Sequence, residues 1–389
     1  MSSASLNRLP LRRYVVSLLR SIDGPLALGV MLLMAIGLTA MYSSAFDFPG
    51  RFGSHVRNMA LAVAVMFVVA LIPPQKLALL AVPLYTLGIA LLIAVAAFGI
   101  TKKGATRWVN VGVVIQPSEL LKIALPLMLA WWFQKREEQP RAFDYLVAGI
   151  ILAIPVGLIM KQPDLGTAIL VSMAGAAVIF FAGLPWRIVL PPLLLAGTGI
   201  LLLILLEPRL CAQGVQWPVL HAYQQGRVCT LLNPMHDPLG KGFHILQSMI
   251  AIGSGGLSGK GFMRGTQTHL EFIPERTTDF IFAVYSEEFG LLGNLLLLAA
   301  YLFLIGRILW IAAHAQTLFS RLLGSAIGMI FFAYAFVNMG MVSGILPVVG
   351  VPLPFISYGG TAMLTLGLAL GMVFSIARQY RLSQLGHRL

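Results

Sequence analysis

The sequence predicts an all-α, polytopic integral membrane protein with about ten transmembrane helices. Of its 389 residues, 58% are hydrophobic and 11% are charged, and the mean hydropathy is +0.87, which no soluble domain matches. Apolar runs of the roughly 20 residues needed to cross a bilayer recur along most of the chain. One long polar interruption divides them seven and three.

The runs lie at roughly 25–45, 56–72, 76–100, 117–134, 142–160, 165–183, 186–206, 278–306, 322–346 and 357–377. The first is too long for a signal-peptide core and is read as a retained span. An even number of crossings puts both ends on one side. Arg8, Arg12, Arg13 and Arg20 precede the first span, Lys135, Arg136 and Arg141 fall between the fourth and fifth, and Arg378, Arg381 and Arg388 follow the last. The positive-inside rule assigns these segments to the cytoplasm, with residues 1–24 and 378–389 as cytoplasmic ends of a single transmembrane domain covering 1–389. Arg51, Arg57, Lys102, Lys103, Arg107 and Lys161 then fall in short outer loops, a surplus that asks for an anionic partner outside.

The interruption at 207–277 becomes a large extracytoplasmic loop between the seventh and eighth spans, and loops of this length are usually functional. It holds both cysteines, Cys211 and Cys229, for which a disulfide and two unpaired thiols are both open. Its second half opens with a short amphipathic helix, expected to lie in the interface, and continues as "SGGLSGKG". That stretch lacks the first glycine and last hydroxyl of a phosphate-binding loop, so nucleotide binding is rejected. The backbone N–H groups of Gly255, Gly256, Gly259 and Gly261, beside Lys260 and Arg264, form a candidate pyrophosphate contact set against a simple flexible linkage.

Ionisable groups at membrane depth are functional candidates because they cost about 2.5–3.5 kcal/mol each. In "RWVNVGVVIQPSELLK", Pro117 starts a helix, Glu119 sits in its first turn and Lys122 follows on the same face. A cap and an ion pair account for Glu119. Lys122 lies deeper, and Arg107 just outside suits a bidentate phosphate contact. In "KQPDLG", helix-dipole stabilisation suffices to explain Asp164. In "FIPERTTDFIFAVYSEEFG", Thr277 and Thr278 supply capping hydroxyls, which leaves Asp279 unneeded for helix initiation. On a continuous helix Ser286 falls nearly under Asp279, Glu287 about 80° away and Glu288 on the far side. Burial raises the Asp279 pKa and Arg276 with the helix N-terminus lowers it; in balance, the carboxylate accepts a proton from a hydroxyl.

Other chemistries find no support. The seven histidines show no HExxH spacing, the two cysteines no zinc pattern and the chain no Gly-x-Ser-x-Gly elbow. No nucleic-acid partner is expected.

Taken together, "RWVNVGVVIQPSELLK", "KQPDLG", "FIPERTTDFIFAVYSEEFG" and "GILPVVGVPLPFISYGGTAM" resemble the SEDS proteins (shape, elongation, division and sporulation; the FtsW/RodA/SpoVE family) over essentially the whole chain. Val349 stands where the division branch tends to carry a lysine, so the resemblance is to the elongation branch. It implies a peptidoglycan glycosyltransferase of the bacterial cytoplasmic (inner) membrane that polymerises lipid II on the outer face. It implies Asp279 as the essential carboxylate, with Arg107, Glu119, Lys122 and Asp164 lining or supporting a central cavity. A class B penicillin-binding protein and other rod-complex membrane proteins are the implied partners. A divalent cation, Mg²⁺ or Mn²⁺, fits beside Arg107 and Lys122 at the leaving pyrophosphate, with no ligands assigned to it and no organic cofactor expected. Glu287 and Glu288 are expected to hydrogen-bond other spans, and "SYGGT" to serve close packing. Two rival readings remain at this stage, a lipid II flippase and a non-catalytic scaffold for the penicillin-binding partner.

Overall fold

The computed structural model describes residues 22–386 except 103–104, 111–113, 137–139, 163, 213–214, 216, 218–221, 234, 236–241, 271 and 274. Arg8, Arg12, Arg13, Arg20, Lys103 and Arg388 therefore lie outside the described residues.

Each expected span has a helical counterpart. These are α1 (Gly24–Ser44), α2 (Arg51–Ala70), a short α3 (Pro74–Leu79) leading into α4 (Ala81–Phe98), α5 (Pro117–Gln134), α6 (Ala142–Lys161), α7 (Leu165–Phe181) and α8 (Trp186–Leu205). After the loop helices α9 (Glu207–Leu210), α10 (Ala222–Leu232), α11 (Phe243–Ser254) and α12 (Thr266–His269) come α13 (Ile281–Ala313), α14 (Leu318–Val342) and α15 (Gly360–Gly386). Among the described residues, eight of the helices are long and apolar enough to cross a membrane. α7 has only 17 residues, and α5 carries Glu119 and Lys122. Proline starts α5 at its first position, where a missing N–H costs nothing.

The all-α class gains one addition. Between α4 and α5 the chain forms a three-stranded antiparallel sheet, β1 (Ile100–Lys102), β2 (Ala105–Asn110) and β3 (Val114–Ile115), in the order β1-β2-β3. Hydrophobic periodicity gives no signal for strands this short. They matter because β2 carries Arg107.

α14 is the most enclosed span and packs against α13, α7 and α5, whereas α8 is exposed along its length. α2 lies along α15, and α1 along α13. At one end of the bundle Asp23 caps α1 through the Leu26 N–H at 3.0 Å and binds Arg307 of α13 (2.6 Å) and Arg381 of α15 (2.9 Å). Burial opposes ionisation of Asp23, but hydrogen bonds from Arg307 and the Leu26 amide, with the charges of Arg307 and Arg381, outweigh it and hold the carboxyl below its ordinary value.

At the other end, α13 is broken. Gly290 has φ 62° and ψ −159°, a conformation open to glycine. The break frees backbone groups that residues 256–261 take up: Lys260 N donates to Glu287 O (3.0 Å), Gly261 N to Glu288 O (3.0 Å), and Leu291 N to Gly256 O (2.9 Å). The glycine-rich stretch is thus a backbone splint for a discontinuous helix. Cys211 and Cys229 form a disulfide, which resolves the choice left open by the sequence.

Candidate functional site

Asp279 does not lie on a helix. The turn 275–280 precedes α13, whose cap, Phe280, makes no side-chain capping bond. The two threonines are used elsewhere: Thr277 Oγ1 accepts from Arg51 Nη1 at 2.6 Å, and Thr278 Oγ1 donates to the Glu275 carboxylate at 3.0 Å. Glu275 adopts a left-handed φ of 52°, which turns the chain sharply before Asp279. Angular positions counted from Asp279 along a continuous helix therefore do not apply. Arg276, expected to act on Asp279, is buried, pairs with Asp47 and donates to Ser44 O at 3.1 Å, so it fastens the turn to the end of α1.

Three elements hold this turn. Buried Asn338 of α14 donates Nδ2 to the carbonyls of Asp279 (2.9 Å) and Val351 (2.6 Å), joining the turn to the segment before α15. Ser357 Oγ donates to Thr278 O (2.6 Å), and Tyr358 N to Thr277 O (2.8 Å). The "SYGG" stretch, expected to serve packing, is a clamp on the Asp279 turn. Gly350 has φ 73°, a conformation that favours glycine, and a Cβ there would press on Asp279 Oδ2 at 3.3 Å.

Across from the turn stand α5, α7 and β2. Lys122 Nζ lies 2.6 Å from Glu119 Oε1 and 2.6 Å from the Tyr334 hydroxyl of α14. With 3% side-chain exposure it is a buried, paired cation and not an open anion site. Asp164 caps α7 through Thr167 N (3.2 Å) and Oγ1 (3.0 Å), accepts from Gln116 Nε2 (3.1 Å), and faces Arg107 Nη1 at 3.6 Å. Arg107 keeps 28% of its side chain exposed.

These walls enclose a cavity of about 290 Å³ that brings together Arg107, Glu119, Lys122, Asp164 and Asp279. Glu275, Gln116, Gly350 and Tyr358 also line it. Two cations face four carboxylates. Among the described residues no three His, Cys, Asp or Glu side chains converge as a metal site.

Lys260 and Arg264 are not part of this cavity. Lys260 Nζ binds Glu287 Oε1 at 2.7 Å and Thr266 Oγ1 at 2.7 Å, and the amides of Gly259, Lys260 and Gly261 donate to protein carbonyls. Glu287 is fully buried and also accepts from Thr266 Oγ1 (3.1 Å) and Gln267 N (3.0 Å), which caps α12. Its partners belong to the loop and not to other spans. Glu288 does reach a span, accepting from Ser43 of α1.

Sequence reading missed Asn338, Tyr334, Tyr358 and Gly350. A signal existed for Asn338, an amide inside an apolar run. Gly350 and Tyr358 owe their roles to a turn roughly seventy to eighty residues away in sequence, and no local pattern marks that.

The family model of FtsW, RodA and SpoVE, described as "Cell cycle protein", matches residues 25–382. The chain belongs to this family. It is 46% identical over 357 residues to the peptidoglycan glycosyltransferase MrdB of Escherichia coli K12, covering 91% of this chain and 93% of that one. To the peptidoglycan glycosyltransferase RodA of Treponema pallidum it is 33% identical, covering 92% and 98%. Among solved structures, a chain from work on coordination of polymerization and crosslinking by a peptidoglycan synthase complex aligns with a TM-score of 0.75 and 31% identity, over 92% of this chain and 98% of that one. The rod shape determining protein RodA of Thermus thermophilus aligns at 0.67 and 28%, over 92% and 97%. Relatives in both comparisons are thus matched over nearly their whole length.

Proposed function

We propose that this chain is a peptidoglycan glycosyltransferase that polymerises lipid II during cell elongation, with Asp279 as general base. The observation that carries the reading is Asp279 itself, in a turn held by Asn338 and Ser357 and packed against Gly350, lining a cavity that also holds Arg107. Its curated relatives are named for this activity.

In the reaction the acceptor's GlcNAc 4-hydroxyl attacks the anomeric carbon of the donor's MurNAc. The new C–O bond forms as the bond to undecaprenyl pyrophosphate breaks, with inversion. Asp279 takes the hydroxyl proton. Arg107, the more accessible of the two cavity cations, hydrogen-bonds the departing pyrophosphate. Lys122 acts from behind: its charge balances Glu119, and Tyr334 fixes its position. A divalent cation would offset the carboxylate excess opposite the pyrophosphate, and no step above depends on it.

The Asp279 turn directly follows the disulfide-bearing loop along the chain. A disulfide belongs on an oxidising face, which supports an outward-facing Asp279 turn in the bacterial inner membrane, with both chain ends cytoplasmic. The partner is a class B penicillin-binding protein that crosslinks the product, in line with the synthase complex of similar fold.

The test uses the purified full chain with its penicillin-binding partner blocked by a β-lactam, and labelled lipid II resolved as glycan polymer on a gel. The parent is expected to make polymer, and Asp279→Asn, folded and partner-bound, none. Equal polymer from both moves the base elsewhere. No polymer from either, in a preparation that binds lipid II, favours a flippase or scaffold.

A further inference from the structure

A second cavity among the described residues has no place in the reaction above. It is a recess of about 260 Å³ between α1, α2 and α15. Ile22 and Leu71 mark one end, beside the Asp23 cluster, and Met34 of α1 the other. Since α1 ends near the Asp279 turn, where Ser44 O receives Arg276, the recess lies in the opposite half of the bundle.

Its dimensions and lining suit a lipid chain. Ile22 to Met34 is a rise of about 18 Å along a helix, close to the roughly 15 Å of half a hydrocarbon core. Every lining side chain is apolar except Arg378 of α15. Met31, Met34 and Met66 contribute unbranched, adaptable walls. A further helix, about 10 Å across, is too thick for a recess of this volume.

Arg378 supplies the chemistry of the headgroup. The neighbouring Arg307 and Arg381 are both engaged by Asp23. Among the described residues Arg378 has one protein partner, the Leu71 carbonyl at 3.3 Å, and no carboxylate. A guanidinium at the edge of the hydrocarbon layer calls for an anion, and it pairs well with phosphate.

We propose that this recess binds a glycerophospholipid with an anionic headgroup from the leaflet opposite the catalytic cavity, one acyl chain lying between α1 and α2 and the phosphate on Arg378.

The experiment is native mass spectrometry of the full chain titrated with phosphatidylglycerol or phosphatidylcholine of identical acyl chains. The parent should retain phosphatidylglycerol preferentially. Arg378→Ala should lower that retention roughly fivefold, the effect of about one basic residue at a membrane surface, and Arg378→Lys should keep part of it. Met31→Trp, which fills the groove, should reduce retention of both lipids. Arg187→Ala, at an exposed arginine outside the groove, should change nothing. Unchanged elution and melting temperature establish that each variant is folded. Equal retention of the two lipids by the parent, or undiminished phosphatidylglycerol in a folded Arg378→Ala, overturns the proposal. So does cysteine crosslinking between Met31→Cys chains, which would make a second copy the occupant.

Discussion

Two groups of carboxylates on either side of the start of α13 look alike in sequence and differ in the fold. Glu287 lies inside the helix, fully buried, with its oxygens taken by Lys260, Thr266 and Gln267. Asp279 lies in the preceding turn, half-buried at a cavity wall, and what is held around it is the backbone, by Asn338 and Ser357. A carboxylate that fastens structure is saturated by donors from the chain. The carboxylate proposed for chemistry instead lines a cavity, and its backbone frame is fixed from other elements.

The sharpest way to break this contrast is to neutralise each in turn. Asp279→Asn should reduce polymerisation about 10²-fold or more while the melting temperature stays close to the parent's; a large loss of stability would make Asp279 a structural residue. Glu287→Gln should do the reverse. It leaves Lys260 without its charge partner and weakens the cap on α12, at a cost of about 1–3 kcal/mol. Denaturation followed by fluorescence should show the loss, and the folded fraction should keep most of its turnover.

Tyr334→Phe sharpens the comparison on the opposite wall. Removing one acceptor from the buried Lys122 ammonium should cost about 1–2 kcal/mol and lower turnover far less than Asp279→Asn. An effect as large as that of Asp279→Asn would place Lys122 itself in direct contact with substrate.

The smallest effect is expected at Asp23, remote from the cavity. Its carboxyl is held below its ordinary value in the fold. Its stabilisation is therefore present above the unfolded pKa, about 3.9, and lost as pH falls from there towards the folded value. Asp23→Asn should lower stability by about 1 kcal/mol at pH 7, since Arg307 and Arg381 are partly exposed. The melting temperatures of parent and variant should converge as pH drops below 4.

Much of the architecture was legible because the bilayer demands it: a span must be apolar, about 20 residues long and internally hydrogen-bonded. Pro117 and the start of α5, the Glu119–Lys122 pair and the place of Asp164 at a helix start could be read because each acts within one helical turn. Lys260 and the glycine amides could not. Their partners are the backbone and side chain of residues 287–288, and a cation beside glycines has the same sequence pattern whether it meets a phosphate or a buried glutamate.

By itself, then, the sequence determined the membrane class, the order of the long apolar helices, the family, and the set of ionisable groups from which a site could be built. Only the tertiary structure decided which of them share a cavity, that α13 is broken at Gly290, and that Asp279 sits in a turn clamped by Asn338 and Ser357. The physical reason is range. Hydropathy and helix signals are summed over neighbours along the chain, whereas the hydrogen bonds that place Asp279 join residues 59 and 79 positions apart.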